Sequence, residues 1–235
     1  SMCPEVSTLL VPDHEDADYW AQCWPLDTFR VTTEDSKKAT MMKTELERKQ
    51  MAQTMTFSQF IDSLELRVHT ALVQEDELPR VLQMTQKTNQ FNFTTERLAS
   101  IPRGSDVYVT HVADKYGDYG LVGVAICHTS SKRLVLDNML MSCRVLGRGV
   151  EARMLSHVGA VAAERGLHSV NVRFIPTERN EPARNFLKRH NLLPEDSESQ
   201  DFPTDAVNAV VFDPSDMDAR PSTSSAPQSS QPLEP

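Results

Sequence analysis

The chain predicts an α/β domain, a central mixed sheet flanked by helices, with a helical extension ahead of it. Three observations carry this expectation. Two apolar runs, Val107 to Ala113 and Leu121 to His128, are joined by the turn-forming stretch Asp114 to Gly120, the mark of paired strands. Further on, Leu134 to Met141 is an apolar run of strand length, followed by a glycine-bearing turn and a helical run from Glu151 to Arg165. A second strand, turn and helix follow at once, so strands and helices alternate as they do in layered α/β domains.

The elements can be placed in order. Thr33 to Gln53 reads as a helix opened by Thr32 or Thr33 ahead of Glu34-Asp35. Thr56 to Leu64 reads as a short helix with Phe57, Phe60, Ile61 and Leu64 on one face. Leu66 to Leu72 is a strand, and Glu77 to Thr85 a helix leading into an uncharged polar run. The helix from Glu151 places Met154, Val158 and Val161 on one face and stops at Arg165-Gly166. Ser169 to Ile175 alternates as a half-buried strand with Val170, Val172 and Phe174 on one side. Pro176-Thr177 breaks it, and Asn180 is placed to cap a helix from Glu181 to His190, with Pro182 in its first turn and Asn191 as a left-handed stop. Val207 to Phe212 reads as the last strand. The organisation expected is an N-terminal extension over 1–64, a domain over 65–213, and a Pro/Ser-rich tail over 214–235 with too little apolar content to fold.

The turn Arg144-Val145-Leu146-Gly147-Arg148-Gly149-Val150 is the first candidate for function. A strand, a glycine turn and a helix start aim backbone N–H groups and a positive helix end at one place, which suits a phosphate. Glycine allows the close approach. A P-loop would need Gly-Lys-Ser/Thr, and a dinucleotide fingerprint a third glycine where Ala152 stands, so a pyrophosphate or phosphopantetheine phosphate fits better. The plain alternative is a tight connection with no ligand.

Together with Asn180, Ala183 and Phe186 in an Asn-x-x-Ala-x-x-Phe helix, this half of the chain resembles a GNAT-type acyltransferase, whose phosphate loop reads Gln/Arg-x-x-Gly-x-Gly/Ala. Three blocks, Thr85 to Thr95, Asp114 to Gly123 and Met141 to Gly149, carry a narrower resemblance to the FkbH-like family of polyketide and related pathways. That resemblance spans roughly residues 64 to 193. It implies a GNAT-like domain beside a haloacid-dehalogenase-type domain, working on a glyceryl or related acyl group held as a thioester on an acyl carrier protein's phosphopantetheine.

Two departures stand out. A haloacid-dehalogenase-type site needs Asp-x-Asp after an apolar strand. The only candidates, Asp16-Ala17-Asp18 and Asp216-Met217-Asp218, sit in polar acidic surroundings. The resemblance also puts a proton-donating tyrosine just after the phenylalanine of the later helix, and here that place holds Leu187. Ser1-Met2 reads as an added or trimmed start, which suggests a fragment or a single-domain relative.

Composition narrows the class. Over 235 residues, 39% are hydrophobic and 24% charged, as expected of one globular domain with appendages. A net charge of −9 disfavours a nucleic-acid binder. Cys3, Cys23, Cys127 and Cys143 are too scattered for a zinc site or a disulfide framework, and no run is apolar enough for a bilayer span or a signal peptide. A cytoplasmic protein without a metal is expected. Against the acidic background, Arg144, Arg148, Arg153, Arg179, Arg184, Lys188 and Arg189 gather around the proposed phosphate turn. They form a rim for coenzyme A phosphates or an acidic carrier, or ordinary solvated helix faces.

Residue roles follow as expectations. Leu146, Gly147, Arg148, Gly149 and Val150, with Arg144 and Asn180, would hold the phosphate of acetyl-CoA, acyl-CoA or phosphopantetheine. His111 has the proton-transfer range of imidazole, Asp118 flanks the turn, and Cys143 lies next to the helix start; these are the catalytic candidates. Each has a bland counterpart: a strand histidine, a turn aspartate, a small core thiol. Thr88, Asn89, Gln90, Asn92 and Thr94, with Asp114, would read a hydroxylated acyl group, whose hydroxyls need partners in a dry cleft. The expected function is acyl transfer from a thioester, most plausibly of a glyceryl-type unit to or from a carrier protein. An acetyl-CoA-dependent N-acetyltransferase and a non-catalytic carrier-docking module are the alternatives.

Overall fold

The computed structural model describes Arg48, residues 54–195 and residues 198–214. The expected helix from Thr33 to Gln53, the tail beyond Pro214 and both Asp-x-Asp stretches lie outside the described residues, apart from Arg48 within that helix. All described residues belong to one compact unit that begins at Leu46.

Six strands form one mixed sheet in the order β1-β2-β3-β4-β5-β6. Strands β1 (Arg67–Leu72), β2 (Asp106–Asp114), β3 (Gly117–Ser130) and β4 (Arg133–Met141) are antiparallel neighbours. Strand β5 (Ser169–Arg173) runs parallel to β4, and β6 (Ser199–Pro203) antiparallel to β5. The parallel step requires a crossover, which helix α3 (Val150–Glu164) supplies. Within residues 54–214 the other α-helices are α1 (Phe57–Leu64), α2 (Leu78–Lys87), α4 (Glu181–Arg189) and the single turn α5 (Thr204–Asn208). This is the mixed sheet with flanking helices expected from the sequence, with the expected order of strand, glycine turn, helix, strand and helix in its second half.

Local chemistry accounts for the boundaries. Thr56 opens α1 with a reciprocal capping box: its hydroxyl accepts from the Gln59 amide (3.3 Å) while Gln59 Oε1 accepts from the Thr56 amide (3.1 Å). Glu65 ends that helix in the left-handed region. Gly166 and Asn191 take positive φ just past α3 and α4, as anticipated. One expectation fails: Val207 to Phe212 is not a strand. Thr204–Asn208 is helical instead, and the closing strand lies earlier at Ser199–Pro203. The apolar Val207 and Val210 there are spaced for one helical face, and both are buried against the main core.

The core has two faces. On one, α3 and α4 pack Met154, Leu155, Val158, Ala183, Phe186 and Leu187 onto Val122, Leu136, Met139, Val170 and Val172. On the other, α2 packs Val81 and Met84 onto Val107, Val109, Val124, Ile126 and Leu140. Two glycines permit close packing. A Cβ on Gly123 would meet Met154 Sδ at 2.4 Å, and one on Gly159 would meet the Asn208 backbone nitrogen at 2.3 Å.

The pairing of β4 with β5 ends early. It covers only Arg133–Leu136 against Ser169–Val172, and beyond Leu136 the two strands separate. The gap is filled by the chain itself. Phe93 donates its amide to Met139 O (3.0 Å), Phe91 O accepts from the Met141 amide (2.9 Å), and Phe93 O accepts from the Ile175 amide (2.9 Å). Three residues, Phe91 to Phe93, thus stand between the parted strands as a short additional strand. Ring contacts anchor them: Phe91 on Phe186 (5.5 Å between centroids) and Phe93 on Phe174 (6.1 Å).

Candidate functional site

Where β4 runs out into the glycine turn, a cleft of 380 Å³ opens between α2, the stretch Thr88 to Phe91, and Met141-Ser142-Cys143. It brings together residues that the sequence put in separate roles: Thr88, Asn89 and Gln90 from the substrate run, and Cys143 from the catalytic set. Cys143 is exposed and outside any disulfide, at the first position of a 3-10 turn (Cys143–Val145). Sequence reasoning missed the basic wall, Arg80 and Lys87 on α2. The signal was present, because Arg80, Gln83, Met84 and Lys87 recur at helical spacing and so share one face. Burial and the nearby Arg144 guanidinium both lower the Arg80 pKa. Gathered cations of this kind favour an anionic ligand.

The rest of the polar run is structural. Asn92 is fully buried; its Nδ2 donates to Thr88 O (3.1 Å) and its Oδ1 accepts from the Thr95 amide (2.8 Å). Thr94 is buried and donates its amide to Asn138 Oδ1 (3.2 Å). Even Asn89 has a partner at the edge of the cleft, accepting from Arg97. So the structure gives Thr88, Asn89 and Gln90 to the cleft and takes Asn92 and Thr94 into the fold.

Asp114 belongs to the β2–β3 hairpin. Its carboxylate accepts from Arg48 Nε (2.8 Å) and Nη2 (3.0 Å), from the Tyr116 and Gly117 amides (2.9 and 3.0 Å), and from Tyr119 OH (2.7 Å). Burial alone would raise its pKa, but the bonds from Arg48, Tyr119 and Tyr116 outweigh it and hold the carboxyl below its ordinary range. With five donors aimed at it, Asp114 has little capacity left for a substrate. Arg148 joins the same network by donating to Tyr119 OH and standing 5.5 Å from that ring. Asp118 accepts from the Gly120 amide (2.7 Å), a turn-closing bond. His111 meets Glu77 Oε1 through Nε2 (3.1 Å). His111 and Asp118 share a shallow depression with Leu66, His69 and Arg153, and neither borders the Cys143 cleft.

Asn180 does not cap α4 with its side chain. Its Nδ2 donates to Asn92 O (3.0 Å) and Ile175 O (2.9 Å), while its Oδ1 accepts from the Thr177 amide (2.8 Å). It therefore stitches the gap-filling segment to the end of β5. Phe186 of the same motif packs on Phe91, and Leu187 is fully buried in the core. In this structure the contacts of the motif serve the fold.

The glycine turn has the backbone expected of it, with Gly147 at φ 77° and Gly149 at φ 81°. Its amides are largely taken by the protein, however. Leu146 N donates to Cys143 O (3.4 Å), Arg148 N to Val145 O (3.4 Å), and Gly147 N to Glu151 Oε1 (3.0 Å). Glu151 is 6% exposed, and its Oε2 is buried with no donor. Burial raises its pKa, while the amides of Glu151, Gly147 and Gly149 and the charge of Arg189 pull it back. Val150 is buried and Leu146 packs against the core. Phe212 lies over Gly149, where a Cβ would meet its ring at 2.5 Å. A larger cavity of 730 Å³ lies beyond, between α1, α3 and Val210 to Pro214, with Arg148, Arg153 and His157 on its wall.

Coenzyme A, which the resemblance implies, does not fit the turn as it stands: the Gly147 amide is given to Glu151, and the Leu146 and Arg148 amides to backbone carbonyls. Among the described residues no cluster of His, Cys, Asp or Glu is placed to hold a metal ion, and no helix is long and apolar enough to cross a membrane.

No family model matches the chain, and no curated protein matches it. Among solved structures it is similar to the ribosomal-protein-S18-alanine N-acetyltransferase from Escherichia coli, with 13% identity and a TM-score of 0.38 over 48% of this chain and 70% of that one. Nourseothricin acetyltransferase aligns at 17% identity and a TM-score of 0.38, over 52% of this chain and 81% of its own. An acetyltransferase of GNAT family from Staphylococcus aureus Mu50 aligns at 9% identity and a TM-score of 0.39, over 52% and 82%. Likeness of this degree assigns no activity and no ligand to this chain.

Proposed function

We propose that the protein is an acyltransferase that takes an acyl group from a thioester in the cleft beside Cys143. The observation that supports this reading is the composition of that cleft: an exposed thiol, the uncharged hydrogen-bonders Thr88, Asn89 and Gln90, and the cations Arg80 and Lys87. The polar run suits a hydroxylated acyl group such as glyceryl, because each hydroxyl needs a partner once water is excluded. Cations at the wall suit the phosphate of a phosphopantetheine arm, which makes an acyl carrier protein the preferred donor or acceptor. In the transfer, the Cys143 thiolate attacks the thioester carbonyl carbon, the donor C–S bond breaks, and the leaving thiolate takes up a proton. The S-acyl cysteine then passes its acyl group to an acceptor thiol by the same exchange.

The test is mass spectrometry of the protein after exposure to a glyceryl-pantetheine thioester and to a glyceryl-loaded carrier protein. The expected result is one acyl mass added on the peptide containing Cys143, and none in Cys143→Ser. An acylated wild type that carries the label elsewhere refutes the role of Cys143, and no acylation from either donor refutes the transferase reading. One observation favours a second reading, the carrier-docking module: the turn and the strand gap are filled by the protein's own groups. That reading predicts carrier binding without turnover. The amine acetyltransferase is the third reading, and it predicts acetyl transfer from acetyl-CoA to an amine without acylation of Cys143.

A further inference from the structure

The glycine turn and the gap between β4 and β5 each hold a part of this chain. At the turn, Gly147 and Gly149 take positive φ, and the amides of both bear on one buried carboxyl, as in an anion nest. The anion they meet is Glu151, the second residue of α3, through Oε1 on Gly147 N at 3.0 Å. A first-turn acid is an ordinary helix stabiliser at the surface. Glu151 is different because it is buried and its Oε2 has no donor, an arrangement that costs stability instead of adding the full value of a cap. At the strand gap, Phe91 and Phe93 use Met139 O, the Met141 amide and the Ile175 amide, so these groups are spent.

We infer that Glu151 sets donor specificity: it is a built-in occupant of the Gly147–Gly149 nest that keeps out the diphosphate of coenzyme A. The inference rests on the acyl-thioester reading of the Cys143 cleft. A carboxylate already accepting from the nest both fills it and repels an incoming diphosphate. The cleft lined by Arg80, Lys87 and Thr88 stays open, and a donor that carries one phosphate, or none, reaches Cys143 without entering the nest.

The experiment uses the whole protein with coenzyme A and inorganic pyrophosphate as titrants. Acylation of Cys143 by the glyceryl-pantetheine thioester is followed in parallel. Wild type is expected to show no saturable binding of either titrant at millimolar concentration. Glu151→Ala, which vacates the nest, is expected to gain pyrophosphate affinity by about tenfold or more, roughly the change from removing one close like charge. Should Glu151→Ala not fold, Glu151→Gln keeps the shape and one accepting oxygen while removing the charge. It is then expected to bind pyrophosphate more tightly than wild type, by a smaller factor. Wild-type binding of coenzyme A that pyrophosphate competes away would overturn the inference, whatever the variants do. So would a folded Glu151→Ala with no gain. Loss of Cys143 acylation alongside an intact Glu151 effect would instead sink the transferase reading and leave the role of Glu151 in the nest standing.

Discussion

Asn180→Ala is the sharpest probe of the segment that fills the gap between β4 and β5. Asn180 is 1% exposed and makes three hydrogen bonds, at 2.8, 2.9 and 3.0 Å, to Thr177, Ile175 and Asn92. At about 1 kcal/mol net for each bond, the loss is roughly 3 kcal/mol. It would be larger if the stranded carbonyls of Asn92 and Ile175 found no water. Against it stand the buried rings of Phe91 and Phe93, each contributing about 1.5–3 kcal/mol by burial, together with their ring contacts. Burial wins over the lost bonds, so the segment loosens and is not expelled. Urea denaturation should then show a loss of about 3 kcal/mol. Native-state hydrogen exchange should show the Phe93, Met141 and Ile175 amides opening more often, beyond what the global loss explains. A loss below about 1 kcal/mol with unchanged exchange at those three amides would refute the argument that Asn180 fastens the segment.

Two further outcomes follow from other parts of the fold. Asp114→Asn should cost about 3–5 kcal/mol near neutral pH, since it breaks a buried ion pair with Arg48. Because the folded-state pKa of Asp114 is depressed, its contribution is present above the unfolded value near 3.9 and fades as pH falls through the lower folded value. The difference between wild type and variant should therefore shrink in acid, and a gap that widens below pH ~4 would contradict this. Gly159→Ala sets helix propensity, favouring alanine by about 1 kcal/mol, against a Cβ 2.3 Å from the Asn208 backbone, an overpacking cost of about 1–3 kcal/mol. The clash should win by up to roughly 2 kcal/mol in thermal or urea unfolding, and a stabilised variant would show that α5 yields easily.

The residues that were legible in the sequence are those whose signal is local. The short helix ending at Leu64, the stops at Gly166 and Asn191, the alternation of Val170, Val172 and Phe174, and the strand–turn–helix around Gly147 and Gly149 each depend on neighbours a few positions away. The last strand was missed because Val207 and Val210 suit either a short strand or one helical turn, and only packing against α3 decides between them. The site was half legible for a related reason. Thr88, Asn89, Gln90 and Cys143 could be singled out by type, and the structure brings them to one cleft. The same composition gave no means to separate them from Asn92, Thr94, Asp114 and Asn180, which packing buries inside the fold. Glu151 escaped notice because an acid in the first turn of a helix is ordinary; what sets it apart is its burial and the direction of the two glycine residues' amides.

The long-range fastening of the gap segment has a consequence for how the chain reaches its native state. Asn180 holds Asn92 across a separation of 88 residues. Closing such a loop on an otherwise open chain costs roughly 4 kcal/mol in entropy, more than the first contacts between the two ends return. Once the hairpins β1 to β4 are in place and α3 has brought β5 alongside, most of that loop is already spanned and the cost largely disappears. The sheet is thus assembled with a slot, and Phe91 and Phe93 enter it late. Until then two aromatic side chains and the unpaired edge of β4 remain exposed, which makes this the step at which a partly folded chain is most prone to join another copy.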